Sequence, residues 1–426
     1  MWPTIIKNTL WLTSGQLIGR LLRAAIVIYA ARVLGASSWG AFSYALGVAA
    51  FLTIFTDIGV NALLTRELAR NTGLEKKYIG TALAIKLILI MLVAAGTAIM
   101  LPYLTNIAEA RLLMPILLVV FIADTLRDLG SAISRAIEKM EIEGGLAIFT
   151  NFAITTLGFL FLWIQPTSRA LAYAYALGSL LGLLGMIAAV RHHIKDAWRH
   201  IDLSFVKPIL RTAWPFGLLG IMGAAMLNTD IIVIGWLRSA TEVGYYAAAQ
   251  KLILLAYVIP GIFASSVFPA TARFALQEQT RAKELVERTS ALMLLLAAPL
   301  ALGGLLLGHI VMPLLFGAAY LPGLTTFYLL LVTLFIVFPS TIIGNALFAY
   351  NAERNLVSFV AIAIGTNIFL DLILIPPFGI EGAAIGTIIT QLIANALLYR
   401  RLQHVANINI VNGLRYYIQK IKGRWE

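Results

Sequence analysis

Apolar residues run through this chain in long blocks, and polar residues gather in the short stretches between them. A helix needs about 20 mainly apolar residues to cross the hydrocarbon of a bilayer. Window after window meets that length. Twelve spans are predicted, at about 6–33, 40–67, 78–101, 111–138, 145–165, 169–191, 207–237, 244–272, 288–316, 323–351, 356–376 and 382–402. The fold class is therefore an all-α membrane protein with twelve transmembrane helices. The apolar stretch of the N-terminus is broken by Arg20 and Arg23 and lacks a small-x-small cleavage site, so it reads as the first span rather than a signal peptide.

The polar stretches alternate in charge. Connections on the side of the N-terminus hold most of the 32 basic residues, among them Arg66, Arg70, Lys76, Lys77, Arg135, Lys139, Arg191, Lys195, Arg354, Arg400 and Arg424. The opposite side holds Arg32, Arg111, Arg169 and Arg238. By the positive-inside rule both termini are expected in the cytoplasm, with the chain multi-pass in the plasma (inner) membrane. The net charge of +12 then reports topology and contact with anionic membrane lipid, and nucleic acid is not expected as a partner. Inner connections at 73–80, 191–208 and 273–290 are expected to lie on the membrane surface as amphipathic helices.

Composition agrees with the pattern: 60% hydrophobic and 12% charged residues, with mean hydropathy +0.88. There is no cysteine. The five histidines, His192, His193, His200, His309 and His404, fall in no metal-binding frame. No metal or cofactor is expected, and no enzyme chemistry.

The two halves repeat. Gly40 and the FSYA after it correspond to Gly244 and the YYAAA after it, and SRAIEKMEIEG corresponds to LFAYNAERNLV. Six spans per half give both copies the same orientation. Two six-helix lobes related by a pseudo-two-fold along the membrane normal are expected, with a substrate cleft between them. The domains are then 1–203, an N-terminal lobe, 204–402, a C-terminal lobe, and 403–426, a basic cytoplasmic tail.

Ten charges fall inside the spans: Arg20, Arg23, Lys86, Arg127 and Lys251, with Asp57, Asp124, Asp128, Asp230 and Asp371. Each costs about 2.5–3.5 kcal/mol at a bilayer centre even on a lenient scale. Each must face inward or pair. Depth along the spans pairs Asp230 with Lys251, and Arg20 with Asp57. Asp124, Arg127 and Asp128 share a helix face, Lys86 is near enough to a helix end to snorkel, and Asp371 stands alone. Such pairs fix helix register or serve a ligand. Arg20 and Arg23 have no acidic residue on their helix, and guanidinium matches phosphate oxygens in pairs. An anionic ligand is expected at Arg20, Arg23, Arg127 and Lys251.

Three segments carry a family likeness: FTDIGVNALLTRELAR at 55–70, DIIVIGWLRSATEVGYYAAAQKL at 230–252 and NIFLDLILIPPFGIEGAAIGTIIT at 367–390. They resemble the polysaccharide-transporter branch of the multidrug, oligosaccharidyl-lipid and polysaccharide exporter superfamily. The resemblance implies a flippase that moves a polyprenyl-diphosphate-linked oligosaccharide, of O-antigen, capsule or exopolysaccharide type, from the cytoplasmic to the outer leaflet by alternating access. It also implies cationic cavity residues on the first span, where Arg20 and Arg23 stand. Asp57, Asp124 or Asp230 would couple transport to protons or sodium. The partners implied are the lipid-linked oligosaccharide, membrane lipid and a polysaccharide polymerase or chain-length protein, with the flippase itself a monomer. Relatives usually have fourteen spans, against twelve here. The alternatives are a multidrug or cation antiporter, whose branch often has an acid in span one that this chain lacks, and a membrane glycan polymerase or ligase, which needs a large outer loop.

Overall fold

The computed structural model describes the backbone of residues 2–70, 72–350, 352 and 356–423. Arg354 and Arg424, counted above for topology, lie outside the described residues. The described residues are mainly helical, with no strand among them: α1 (Trp2–Thr53), α2 (Val60–Arg70), α3 (Glu75–Leu104), α4 (Ala108–Ala136), α5 (Met140–Ile164), α6 (Ser168–Ile194), α7 (Val206–Leu237), α8 (Ala240–Ala256), α9 (Val258–Gln277), α10 (Gln279–Phe316), α11 (Leu324–Ala349), α12 (Leu356–Ala406) and α13 (Ile410–Ile421). Among the described residues, seven helices are long and apolar enough to cross a membrane, and eight if the pair Leu10–Thr56 and Val60–Ala69, bent by 45°, is one span.

Two of these helices are hairpins. In α1 the backbone leaves helical geometry at Gly35, with φ 73° and ψ 170°, a region that costs a side chain dearly. Contacts with α4 show the reversal. Asn8 reaches the Glu138 carbonyl at one end of α4, Ser38 reaches Glu109 at the other, and Thr56 meets Thr125 on the way back. In α12 the break is at Gly379, with φ 60° and ψ −139°, and Gly382 lies against the carbonyl of Leu374. No straight helix brings those two together.

The described residues form two compact units, 1–244 and 245–426. In the first, α2, α3, α4, α6 and α7 share an apolar core that includes Leu64, Ile79, Leu129, Ile133, Met186 and Ile209. The first arm of α1 packs along α5, where a Cβ on Gly15 would lie 2.6 Å from the Gly144 Cα. Backbones approach that closely in membranes only through small residues. In the second unit α11 packs on α9, α10 and α12. There α13 is pinned to α10: buried Glu287 accepts the Asn409 amide at 2.7 Å and the Asn412 side chain at 3.3 Å, and Arg288 stacks 4.0 Å from the Tyr416 ring centre. The division at 203/204 rests on the repeat, whereas the division at 244/245 rests on packing, which keeps α7 with the first unit.

The inner connections differ from expectation. Residues 197–200 and 203–205 are short 3-10 turns, not a surface helix. The 273–290 stretch is the end of α9 and the start of α10, broken at Glu278. Apolar span and polar linker fuse there because nothing between them stops a helix.

Because Gly15 meets backbone that cannot give way, Gly15→Ala is expected to destabilise the protein by about 1–3 kcal/mol. Gly96→Ala, which meets nothing within 4 Å, is expected to be neutral or to stabilise by about 0.4–1 kcal/mol. Thermal denaturation of the two purified variants checks the difference.

Candidate functional site

Asp57 and Lys86 meet at the end of the second arm of the α1 hairpin, where the helix fails. After Thr53 the chain makes a 3-10 turn, Ile54–Thr56, then passes through Ile58 (φ 38°) and Gly59 (φ 85°) before α2 begins. At membrane depth, non-helical backbone persists only where protein or a wet cavity answers its polar groups. Asp57 answers some of them: its carbonyl accepts the Val60 amide at 2.9 Å, and its carboxylate accepts the Asn61 amide at 3.3 Å. The α7 backbone at Gly217 closes over Ile58.

Lys86 completes the break. Its ammonium lies 3.1 Å from the Asp57 carboxylate and donates to the Thr125 carbonyl at 3.1 Å. Lys86 is fully buried, whereas the Asp57 side chain is 36% exposed. Two expectations are corrected here. Lys86 does not snorkel, because α3 sets it against the break in the neighbouring helix rather than toward a helix end. Asp57 pairs with Lys86 and not with Arg20.

A second group lies on α4. Arg127 contacts Asp124 at 2.7 Å, one turn back, so the shared face predicted for Asp124, Arg127 and Asp128 is present. Thr125, next to Asp124 on α4, meets Thr56 through its hydroxyl and Lys86 through its carbonyl, which joins the two groups. Arg135 grips Glu143, with Nε donating to Oε2 at 2.7 Å.

Between α1, α4, α5 and α6 these residues border a hollow of about 110 Å³, more than one water requires. Its walls include Arg23, Arg127, Asp128, Glu143, Thr150 and Asn151. Arg23 is held differently from the other guanidiniums. Its Nε donates to the Asn151 amide oxygen at 2.9 Å, and its carbon sits 5.0 Å from the centre of the buried Tyr175 ring. Asn151 is held in turn by donating to the Ala147 carbonyl at 2.8 Å. Among the described residues, no carboxylate pairs with Arg23.

The structure therefore brings together Arg23, Arg127, Asp124 and Asp57, and adds Lys86, Asp128, Glu143 and Asn151. Arg20 is exposed and does not line the hollow. Asp230 is buried in the first unit, on α7, and Lys251 belongs to α8 in the second. Asn151 and Glu143 carried no signal in the sequence. One is uncharged within an apolar helix, and the other stands in a helix's first turn, where acids are common.

A family model described as "Polysaccharide biosynthesis protein" matches residues 5–275. A putative O-antigen transporter of Shigella flexneri is 24% identical over 331 residues, 74% of this chain and 78% of that protein. A probable low-salt glycan biosynthesis flippase, Agl15, of Haloferax volcanii is 22% identical over 396 residues, 90% of this chain and 80% of that one. Among solved structures, the lipid II flippase MurJ in an inward closed conformation superposes with a TM-score of 0.79 at 16% identity, covering 96% of this chain and 90% of that one. An inward-facing multidrug resistance MATE family transporter gives 0.73 at 15%, covering 93% and 98%.

Removing one partner of a buried pair strands the other. Asp57→Asn leaves the fully buried Lys86 charge uncompensated and is expected to cost about 3–5 kcal/mol. Lys86→Met leaves a carboxylate already in partial contact with solvent and is expected to cost less. The double variant is expected to recover part of the Asp57→Asn loss. A double-mutant cycle on unfolding of the purified protein reads all three.

Proposed function

The chain belongs to the polysaccharide biosynthesis protein family and is a multi-pass membrane protein, and from that premise we propose that it is a flippase for polyprenyl-diphosphate-linked oligosaccharide. In this reading the cargo is a repeat unit of O-antigen, capsule or exopolysaccharide type, and it passes from the cytoplasmic to the outer leaflet by alternating access. The relatives named for O-antigen transport and glycan flipping support the cargo class. One observation carries the chemistry: Arg23 offers a guanidinium fixed by an amide and a ring, with no carboxylate to displace. Diphosphate oxygens suit that fork, since each accepts charge-assisted hydrogen bonds.

Arg127 and Arg20 serve the same anion in this proposal. Arg127 does so when it leaves Asp124, and Arg20 from the exposed flank of α1, one turn before Arg23. Lys251, on α8, is proposed as a further cationic contact for the cargo. Twelve crossings in two six-helix lobes are proposed, with α1 and α12 counted as two spans each at their glycine breaks and α8 with α9 as one. Both termini are placed in the cytoplasm and the protein in the plasma membrane. Asp57, Asp124 and Asp230 are proposed as the acids through which protons or sodium drive the cycle, by competing for the cations they face. A polymerase or chain-length protein would receive the product, and the flippase works as a monomer.

Loss of one charge-assisted anchor, worth about 1.5–3 kcal/mol, corresponds to a slowing of roughly 10- to 150-fold. Arg23→Ala is expected to slow translocation of labelled lipid-linked oligosaccharide in proteoliposomes by that factor, and Arg23→Lys by less. An unchanged rate at normal protein level removes Arg23 from the site. Imposed proton or sodium gradients are expected to change the rate of the unaltered protein. Indifference to both gradients ends the coupling proposal.

A further inference from the structure

A second and larger cavity, about 840 Å³, opens at the other end of the first unit, far from Arg135 and Lys139. Its size falls within the range of small-molecule sites, about 300–1,000 Å³. Three helix ends each turn one face toward it, through pairs four residues apart. Ala108 and Leu112 come from the start of α4, Phe161 and Gln165 from the end of α5, and Arg169 and Tyr173 from the start of α6. The carboxylate of Glu109 is fixed at its wall, because Ser38 donates to one oxygen at 3.2 Å and Ser168 donates to the other. Arg169 is exposed and makes no ion pair among the described residues, and Tyr173 is 52% exposed.

We propose that this groove is a saccharide subsite that holds the glycan part of the cargo, apart from the diphosphate at Arg23. The proposal rests on the reading of the cargo as a lipid-linked oligosaccharide. Sugar rings have apolar faces and hydroxyl edges. Tyr173 and Phe161 present rings for the faces, and aromatic side chains with a polar tip suit surfaces that are half wet. Gln165, Arg169 and Glu109 present an amide, a guanidinium fork and a carboxylate for the hydroxyls, which both donate and accept. An acyl chain fits the same space less well. It would cover the exposed Arg169 guanidinium without offering it a hydrogen bond, and burying such a group unanswered is costly.

The test uses saturation-transfer NMR on the purified protein in nanodiscs. The probe is the lipid-free oligosaccharide released by mild acid from the polyprenyl-diphosphate pool of the same cells. Transfer to the sugar protons is expected with the unaltered protein and with Leu184→Ala, an exposed position farther along α6. Tyr173→Ala is expected to weaken binding about tenfold, and Arg169→Ala to weaken it measurably. Equal binding by Tyr173→Ala and the unaltered protein overturns the proposal. So does a phospholipid that occupies the groove and that the oligosaccharide fails to displace. Normal translocation by Arg23→Ala sinks the diphosphate reading alone, since binding of the free glycan is measured without transport.

Discussion

A charge inside a membrane has to be answered by another group, and the Lys86–Asp57 pair shows what that requirement does to a fold. Lys86 has no exposed surface, so its ammonium depends wholly on the Asp57 carboxylate and the Thr125 carbonyl. Asp57 in turn stands where the helix is broken, and its main chain and side chain start α2. One ion pair thus joins three helices at a point where the backbone itself needs partners. Straightening the break would withdraw Asp57 from Lys86, and moving Lys86 would leave the break poorly held. Such a pair contributes less to net stability than its Coulomb energy suggests, because two ions were desolvated to form it. Its consequence is geometric: α2, α3 and α4 are held in one arrangement at the break beside Asp57.

Much of the fold was legible in the sequence because a bilayer imposes a length. Apolar windows located the helices to within a few residues, as with the predicted 145–165 against Met140–Ile164 and 169–191 against Ser168–Ile194. Periodicity failed where a helix continues through a polar stretch. The sequence at 273–290 looks like a surface helix, yet α10 runs on from its middle, because Arg281 to Arg288 are good helix formers with ion pairs along one side. The break at 57–59 was also hidden. Asp-Ile-Gly interrupts an otherwise apolar run, but only a packed partner at Lys86 makes the interruption tolerable.

The site was legible as a set of charges and not as a set of pairs. Depth along a helix says how far a group lies from the membrane surface but not which way it points. Arg20 and Lys86 lie at depths compatible with Asp57, and rotation about the helix axis decides between them. Arg20 lies only about 60° from Arg23 around α1, yet Arg20 is exposed and Arg23 borders the hollow, so one turn of helix separates two environments that the sequence does not distinguish. Asn151 shows the complementary failure. An amide in an apolar helix gives no charge signal, although it orients a guanidinium that pairs with no carboxylate among the described residues.

That difference among the arginines bears on how a site for an anion is built beside so many acids. Arg127 is paired with Asp124 and Arg135 with Glu143, so their charge is already spent on fixed partners. An incoming phosphate would have to compete with a carboxylate for either of them. Among the described residues Arg23 pairs with no carboxylate and is held by Asn151 and Tyr175. Those contacts hold its orientation, and a cation–ring contact of this kind is worth about 0.5–2 kcal/mol, so an anion gains the guanidinium without first breaking an ion pair. Neutralised arginines one helix away keep the hollow from filling with an excess of positive charge in a low-dielectric setting. Charge balance around one unbalanced group gives both a stable wall and a place where an anion is the missing partner.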